Sequence, residues 1–131
     1  GTEMNDTPIL VVDDDPDALE IVRTYLESRG YTVATAADGN EALSKLEKVQ
    51  PALILLDVMM PGMDGWEVAR TVKNHPDFSD VRVVMLTARS EFTDKQEGLR
   101  AGADDYIVKP VRLAELGQKV ERNLEARGRE G

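Results

Sequence analysis

The chain has 131 residues, of which 41% are hydrophobic and 31% are charged, so it is long enough for one domain with its own hydrophobic core. It contains no cysteine, which excludes disulfide bonds, thiolate metal sites and a cysteine nucleophile. Its formal net charge of −9 opposes direct binding to nucleic acid. No apolar run is long enough to span a membrane, and we expect a cytoplasmic protein.

Apolar segments alternate with amphipathic segments along the chain. Short runs rich in Val, Ile and Leu are typical of strands covered on both faces, and they predict strands at 9–12, 31–36, 52–57, 81–88 and 105–109. Apolar residues at helical spacing predict helices at 16–29, 39–48, 65–74, 90–102 and from Leu113 onward. This alternation indicates a single α/β domain with a parallel sheet and right-handed crossovers.

Several predicted helix ends carry residues with the chemistry of caps. Asp15 precedes Pro16 and is interpreted as the N-cap of the first helix rather than as a metal ligand. Asp64 is the expected cap of helix 65–74, and Gly30 is a good C-terminal stop for the first helix.

The ends of the predicted strands carry most of the reactive side chains. Ligands of an open parallel sheet bind beyond the carboxyl ends of its strands. Asp13 and Asp14 follow the first strand, and Asp57 ends the third. Thr87 lies at the end of the fourth strand and Lys109 at the end of the fifth. The predicted sheet therefore gathers these five residues into one region.

Three carboxylates in one region repel each other unless they are neutralised. Two unit charges about 4 Å apart repel by about 4 kcal/mol at an effective dielectric constant of about 20. A hard divalent cation together with the ammonium group of Lys109 would neutralise Asp13, Asp14 and Asp57. Carboxylate oxygens alone favour Mg²⁺, Mn²⁺ or Ca²⁺, and Mg²⁺ keeps water ligands that a phosphate can replace.

Three other kinds of site fit these residues less well. A calcium-binding loop that begins at Asp13 would need Gly in place of Ala18 and Glu in place of Thr24. A dinucleotide site would need a glycine-rich first turn, where this chain has acids. A phosphatase with Asp57 as its nucleophile would need a second acid nearby to protonate the leaving group. In the aspartyl phosphatases that acid lies two residues on, where this chain has Met59.

Four motifs contain these strand ends: ILVVDDD, LILLDVMMPGMDG, VVMLTA and AGADDYIVKP. Together, in this order and spacing over about residues 8–120, they closely resemble the receiver domain of two-component response regulators. The resemblance implies a flavodoxin-like sheet of five parallel strands in the order 2-1-3-4-5 with five helices on its two faces. We expect the receiver domain to span 8–122, residues 1–7 to be a disordered segment or a cloning remnant, and 123–131 to extend the last helix as a connector or a tail.

The resemblance also implies a role for the acidic residues. Asp57 would be the phosphoacceptor, taking a phosphoryl group from a histidine kinase or a histidine phosphotransfer protein. Asp14 would bind Mg²⁺ directly, and Asp13 would bind it mainly through water. Asp57 and the backbone carbonyl of Met59 would be the other protein ligands, and Mn²⁺ could substitute for Mg²⁺.

The remaining matched residues would act on the phosphoryl group and on the signal. Lys109 would pair with the acyl phosphate, Thr87 would hydrogen-bond to it, and Tyr106 would be the aromatic switch partner of Thr87. The peptide bond before Pro110 is expected to be cis.

Such a domain would be a switch and not an enzyme, promoting only its own phosphorylation and dephosphorylation. Its output surface would comprise helix 90–102, the fifth strand and the last helix, and would control a downstream effector protein or domain. A phosphorylation-dependent homodimer through this surface is compatible with the sequence.

Helix 90–102 has few apolar residues and contains Gly98, so we expect it to be the least stable helix. The alternatives are a phosphatase-like hydrolase that uses Asp57 and an adaptor that works without phosphorylation.

Four further residues lie near the motifs. Met59 and Arg89 flank the site and are expected to tune the lifetime of the phosphoryl group. Trp66 is interpreted as a packing residue at the start of helix 65–74. His75, the only histidine, precedes Pro76 in a loop and is not expected to function.

Overall fold

The sheet has five parallel strands in the order β2-β1-β3-β4-β5. The computed structural model describes residues 8–60, 62–88 and 102–130, the last three by their backbone alone. The strands are β1 (Ile9–Val12), β2 (Val33–Ala36), β3 (Leu53–Asp57), β4 (Arg82–Thr87) and β5 (Asp105–Val108). The predicted fold class and strand order are confirmed, and each predicted strand exists within two residues of its predicted bounds.

The central strands are the most deeply buried part of the sheet. In β1 and β3 every residue is buried, as the nearly continuous apolar runs predict. Val12 pairs with Leu56 of β3, and Leu56 pairs with Met85 of β4. This register puts the residues that follow β1 beside the end of β3.

Helices cover the two faces of the sheet. They are α1 (Pro16–Ser28), α2 (Gly39–Ser44), α3 (Leu46–Val49), α4 (Gly65–Asn74) and α5 (Leu113–Glu130). Helices α2 and α4 pack on one face, around Leu56 and Met85, whereas α1 and α5 pack on the other, around Leu55 and Leu86. In the part of the chain that the structure describes, no helix is long and apolar enough to cross a membrane.

One predicted helix is two helices in the structure, so the prediction of a single helix is wrong. The segment 39–48, predicted as a single helix, forms α2 and α3 with a break at Lys45. The N–H of Lys45 donates to the carbonyl oxygens of both Glu41 and Ala42, at 3.1 and 3.2 Å, which tightens the backbone at the end of α2. The predicted helix 90–102 lies outside the described residues, apart from Gly102.

The predicted caps are confirmed. Asp15 accepts a hydrogen bond from the N–H of Asp17 at the start of α1, where Pro16 is the first helical residue. Asp64 forms a capping box with Glu67, in which each side chain accepts from the other residue's N–H. Gly30 follows α1 with φ of +95°, a left-handed conformation that favours glycine.

Candidate functional site

Three carboxylates meet at the carboxyl end of the sheet. Asp57 is the last residue of β3, and Asp13 and Asp14 follow β1, its hydrogen-bonded neighbour. Each residue has a carboxylate oxygen within 4.8 Å of those of the other two. Asp13 and Asp57 are buried, whereas Asp14 is exposed. The strand ends therefore bring together the acidic residues that the sequence predicts there.

Asp57 is held in place by two donors. The Nζ of Lys109 lies 2.9 Å from Oδ1 of Asp57, and the N–H of Met59 donates to the same oxygen at 3.2 Å. Lys109 follows β5, and its N–H donates to the carbonyl of Thr87 at 2.7 Å, which continues the pairing of β4 with β5 past their ends. The Lys109–Pro110 peptide bond is cis, as expected from the resemblance.

The environment of Asp13 disfavours a third negative charge. Burial raises the pKa of the Asp13 carboxyl to about 6, and the neighbouring Asp57 carboxylate also raises it. The N–H of Asp15, which donates to Oδ1 of Asp13 at 3.0 Å, lowers this pKa but does not outweigh the burial. The Lys109 ammonium lowers the same pKa, but it is the smallest of these influences. One ammonium group thus leaves the cluster with excess negative charge.

The cluster fits a hard divalent cation. Its donors are carboxylate oxygens from three residues, which suit Mg²⁺ and do not suit softer metals. A cleft of about 660 Å³ opens beside the cluster, so water or a phosphate has room to complete the coordination. The side chain of Met59 also lines this cleft and is 65% exposed.

Thr87 carries a hydroxyl group with unused hydrogen-bonding capacity. Its side chain is fully buried, and Oγ1 has no hydrogen-bond partner among the residues that the structure describes. A buried hydroxyl without a partner is unfavourable by about 1–3 kcal/mol, so the group gains from any acceptor that arrives nearby.

Tyr106 lies on the same face of the sheet as Thr87. It pairs in register with Met85, two residues before Thr87 on β4, and its ring packs against the core on the side of α4. The ring of Trp66 lies 6.3 Å from that of Tyr106, with 58° between the planes. Burial raises the pKa of Tyr106, and the Asp105 carboxylate adds to the effect.

Trp66 is buried in the core, as its interpretation as a packing residue predicts, but its contact with Tyr106 was not predicted. The two residues are 40 positions apart, so the contact depends on how α4 lies across β4 and β5.

Ile21 is a second feature that the sequence analysis missed. It is 56% exposed and lines the cleft together with Ala18, Val111 and Leu113. A signal was present in the sequence, because Ile21 lies out of phase with the buried positions Val22 and Leu26 of α1. The cleft therefore has an acidic end at the carboxylates and an apolar wall between α1 and the segment before α5.

Two other residues named from the sequence do not join the cluster. Arg89 lies outside the described residues. His75 caps the C-terminal end of α4, opposite the end that faces Asp57. Its ring packs 4.8 Å from that of Phe78, and its Nδ1 accepts from the N–H of Asp77 at 3.0 Å, which gives it a local structural role.

Comparison with known proteins agrees with this geometry. The profile of the response regulator receiver domain matches residues 9–121. A CheY-like response regulator receiver domain protein from Methanospirillum hungatei has a TM-score of 0.88 and 34% identity, over 95% of this chain and 98% of that one. The chemotaxis protein CheY4 of Vibrio cholerae has a TM-score of 0.84 and 36% identity, over 88% of this chain and 97% of that one.

Longer proteins also match. The DNA-binding response regulator MtrA of Mycolicibacterium smegmatis is 42% identical over 116 residues, which are 88% of this chain and 50% of that protein. The chain spans about half the length of the curated relatives it matches.

Proposed function

This chain belongs to the response regulator receiver family of two-component signalling, and on that basis we propose that it is a phosphorylation switch whose phosphoacceptor is Asp57. The phosphoryl donor is a phosphohistidine on a histidine kinase or a histidine phosphotransfer protein. The observation that carries the proposal is the position of Asp57, between two further carboxylates within 4.8 Å and the ammonium of Lys109 at 2.9 Å.

The chemistry is a transfer of one phosphoryl group. An oxygen of the Asp57 carboxylate attacks phosphorus, a P–O bond forms, and the P–N bond to the donor histidine breaks. Phosphoryl transfer depends mainly on positioning and charge stabilisation, so it does not require a separate general base. The donors to Asp57 from Lys109 and Met59 hold the carboxylate in one orientation.

The acidic residues have a separate task. Asp13, Asp14, Asp57 and the backbone carbonyl of Met59 would hold Mg²⁺, which neutralises charge on the phosphoryl oxygens when bound. Lys109 stabilises the same oxygens from the side of β5. Without these positive charges, the carboxylates would repel the incoming phosphoryl group.

The acyl phosphate then changes the packing around Thr87. New acceptor oxygens on Asp57 attract the buried hydroxyl of Thr87, which has no partner among the described residues. Movement of Thr87 changes the space available to Tyr106 on the same face of the sheet, so phosphorylation biases a two-state packing arrangement. The surface around Tyr106 and α5 carries the signal to an effector protein or domain, and a phosphorylation-dependent homodimer is one form of that output.

The test is direct phosphorylation of the purified chain. Incubation with Mg²⁺ and acetyl phosphate is expected to give one phosphoryl group per chain by intact mass, lost after mild alkali as an acyl phosphate is. Asp57→Asn is expected to abolish the product, and chelation of the metal is expected to prevent it, whereas Asp77→Asn, which changes an exposed carboxylate, retains it. Undiminished phosphorylation of Asp57→Asn would exclude this residue as the acceptor. Transfer from a panel of phosphorylated kinases then identifies the donor.

A further inference from the structure

Gly65 lies directly against the backbone of the phosphoacceptor. It is the first residue of α4, and it is buried. A Cβ atom at this position would overlap the carbonyl oxygen of Asp57, and it would lie 2.8 Å from Cα of Val58 and 3.1 Å from the carbonyl carbon of Asp57. These are backbone atoms, which cannot turn aside as the end of a flexible side chain can.

The helix is held against Asp57 from several sides. The N–H of Gly65 donates to the carbonyl of Val58 at 3.0 Å, and the capping box of Asp64 and Glu67 fixes the first turn of α4. Beside it on the same face of the sheet, α4 packs closely against Gly39 of α2, where an added Cβ would lie 2.7 Å from Cγ2 of Val68. The first turn of α4 is therefore tied to the residues that follow β3, and a side chain at position 65 would displace the backbone of Asp57.

The requirement at Gly65 is steric and does not arise from the shape of a turn. Positive φ angles of the described glycines occur at Gly30, Gly62 and Gly102, and Gly65 is not among them. Alanine could thus adopt the backbone conformation of Gly65, and the obstacle is the contact of its Cβ with the backbone of Asp57 and Val58.

We propose that Gly65 is a positioning residue for phosphoryl transfer, because the missing side chain lets α4 pack on the Asp57 peptide and set the position of the Asp57 carboxylate. The inference rests on the proposed function of Asp57. Relief of the overlap needs a backbone displacement of about 1 Å, and a misplacement of that size can lower a transfer rate about 10²-fold.

The experiment compares Gly65→Ala with Gly117→Ala. Gly117 is buried in α5, where an added Cβ would lie 2.7 Å from the Tyr25 hydroxyl and 3.3 Å from the Arg29 guanidinium, far along the chain from the phosphoacceptor. Gly65→Ala crowds backbone atoms and is expected to lower the melting temperature, whereas Gly117→Ala crowds only side-chain ends that can turn aside and is expected to change the melting temperature little. Only Gly65→Ala is expected to move the Asp57 carboxylate.

The readout is the rate constant for phosphorylation by acetyl phosphate, at saturating Mg²⁺ and donor and at a temperature where circular dichroism shows both variants folded. We expect a fall of about 10²-fold in this rate constant for Gly65→Ala and a rate constant within about twofold of wild type for Gly117→Ala. Equal rates for the two variants would overturn the inference. If Gly65→Ala folds poorly, the two variants are compared in buffer that contains sucrose, because sucrose favours the compact state. The same outcomes then support or overturn the inference.

The two proposals fail in different ways. If wild-type protein accepts no phosphoryl group on Asp57, the proposed function fails. If wild type is phosphorylated and Gly65→Ala matches Gly117→Ala, the proposed function stands and the positioning role of Gly65 is wrong.

Discussion

The two ends of this sheet carry similar side chains in opposite electrostatic states. At the carboxyl end, three carboxylates share one described ammonium group, and the hydroxyl of Thr87 has no partner among the described residues. At the amino end, Asp104 and Asp105 each lie within hydrogen-bonding distance of an ammonium group. Asp104 is 2.8 Å from Nζ of Lys73, and Asp105 is 3.1 Å from Nζ of Lys119.

The amino end forms a continuous polar network across the edge of the sheet. Asn123, which is 3% exposed, accepts from the Arg82 guanidinium at 3.1 and 3.3 Å and donates to Asp105 at 3.0 Å. Lys119 donates to the carbonyl of Tyr106 at 2.7 Å. The network ties α5 to the first residues of β4 and β5.

The difference teaches how to separate a functional cluster from a structural one. Charged groups that satisfy each other, as at the amino end, need no ligand and contribute to stability. Charged groups of one sign that remain in excess, as at the carboxyl end, lower stability until a ligand neutralises them. The balance of charges, and not the presence of charged residues, therefore carries the distinction.

The largest expected contrast is between two lysines that each pair with an aspartate. Lys109→Gln is expected to lower the phosphorylation rate about 10²-fold, because it removes a cation from the developing charge. Lys119→Gln is expected to leave the rate unchanged and to lower the free energy of unfolding by about 1 kcal/mol, because it removes donors to Asp105 and Tyr106. Acetyl phosphate kinetics and urea unfolding measure the two effects. A reduced phosphorylation rate in Lys119→Gln would show that the amino end of the sheet also contributes to phosphoryl transfer, which would contradict the distinction between the two ends.

The next effect concerns the buried amide of the network. Asn123→Leu is expected to lower the free energy of unfolding by about 2–4 kcal/mol, because the Arg82 guanidinium and the Asp105 carboxylate each lose a buried partner. Urea denaturation measures the loss, with Gln118→Leu on the exposed side of α5 as the control. The phosphorylation rate of the folded variant should equal that of wild type. A loss below about 0.5 kcal/mol would show that the network does not stabilise the fold.

A smaller effect of opposite sign is expected at the carboxyl end. Asp13→Asn is expected to raise the free energy of unfolding in metal-free buffer by about 1–3 kcal/mol, because it removes the repulsion between two buried carboxylates. Added Mg²⁺ should then stabilise wild type more than the variant, since a ligand that binds only the folded state raises its stability. Asp77→Asn, which makes the same charge change on an exposed residue, is the control. A variant less stable than wild type without metal would contradict the excess of negative charge.

The smallest effect is a pH dependence at Asp105. Burial raises the pKa of this carboxyl, but hydrogen bonds from Asn123, the Tyr106 N–H and Lys119 outweigh it and hold the pKa below its ordinary value of 3.8. Because the folded-state pKa is the lower one, the contribution of Asp105 to stability is present above about pH 4 and is lost as the pH falls through the folded-state value. The stability difference between wild type and Asp105→Asn should therefore be constant from pH 5 to 7 and shrink below pH 4. If the stability difference grew on acidification, the pKa of Asp105 would be raised in the folded state, which would contradict this prediction.

The sheet and the acidic cluster were predictable because local patterns determine them. The buried runs at Ile9–Val12 and Leu53–Asp57 mark central strands, and a parallel sheet then places Asp13 and Asp57 side by side without further information. The caps at Asp15 and Asp64 were predictable for the same reason, since each contacts a residue at most three positions away.

The features that the sequence did not reveal depend on distant contacts. Arg82 and Asn123 are 41 positions apart, and their hydrogen bond requires the angle of α5 across the sheet. The apolar pattern of 39–48 continues through Lys45, so it contains no sign of the break between α2 and α3. The role of Gly65 depends on how close α4 comes to β3. A glycine in the sequence is compatible with such a close approach but does not predict it.

Magnesium titration by calorimetry tests the central claim most directly, namely that Asp13, Asp14 and Asp57 form one cation site. Wild type is expected to bind one Mg²⁺ per chain, and Asp14→Asn and Asp57→Asn are each expected to lose most of that affinity. Asp105→Asn, which removes a carboxylate from the amino end, is expected to bind as wild type does. Mg²⁺ binding that survives in Asp14→Asn and Asp57→Asn, or a folded wild-type protein that binds no Mg²⁺, would contradict the account.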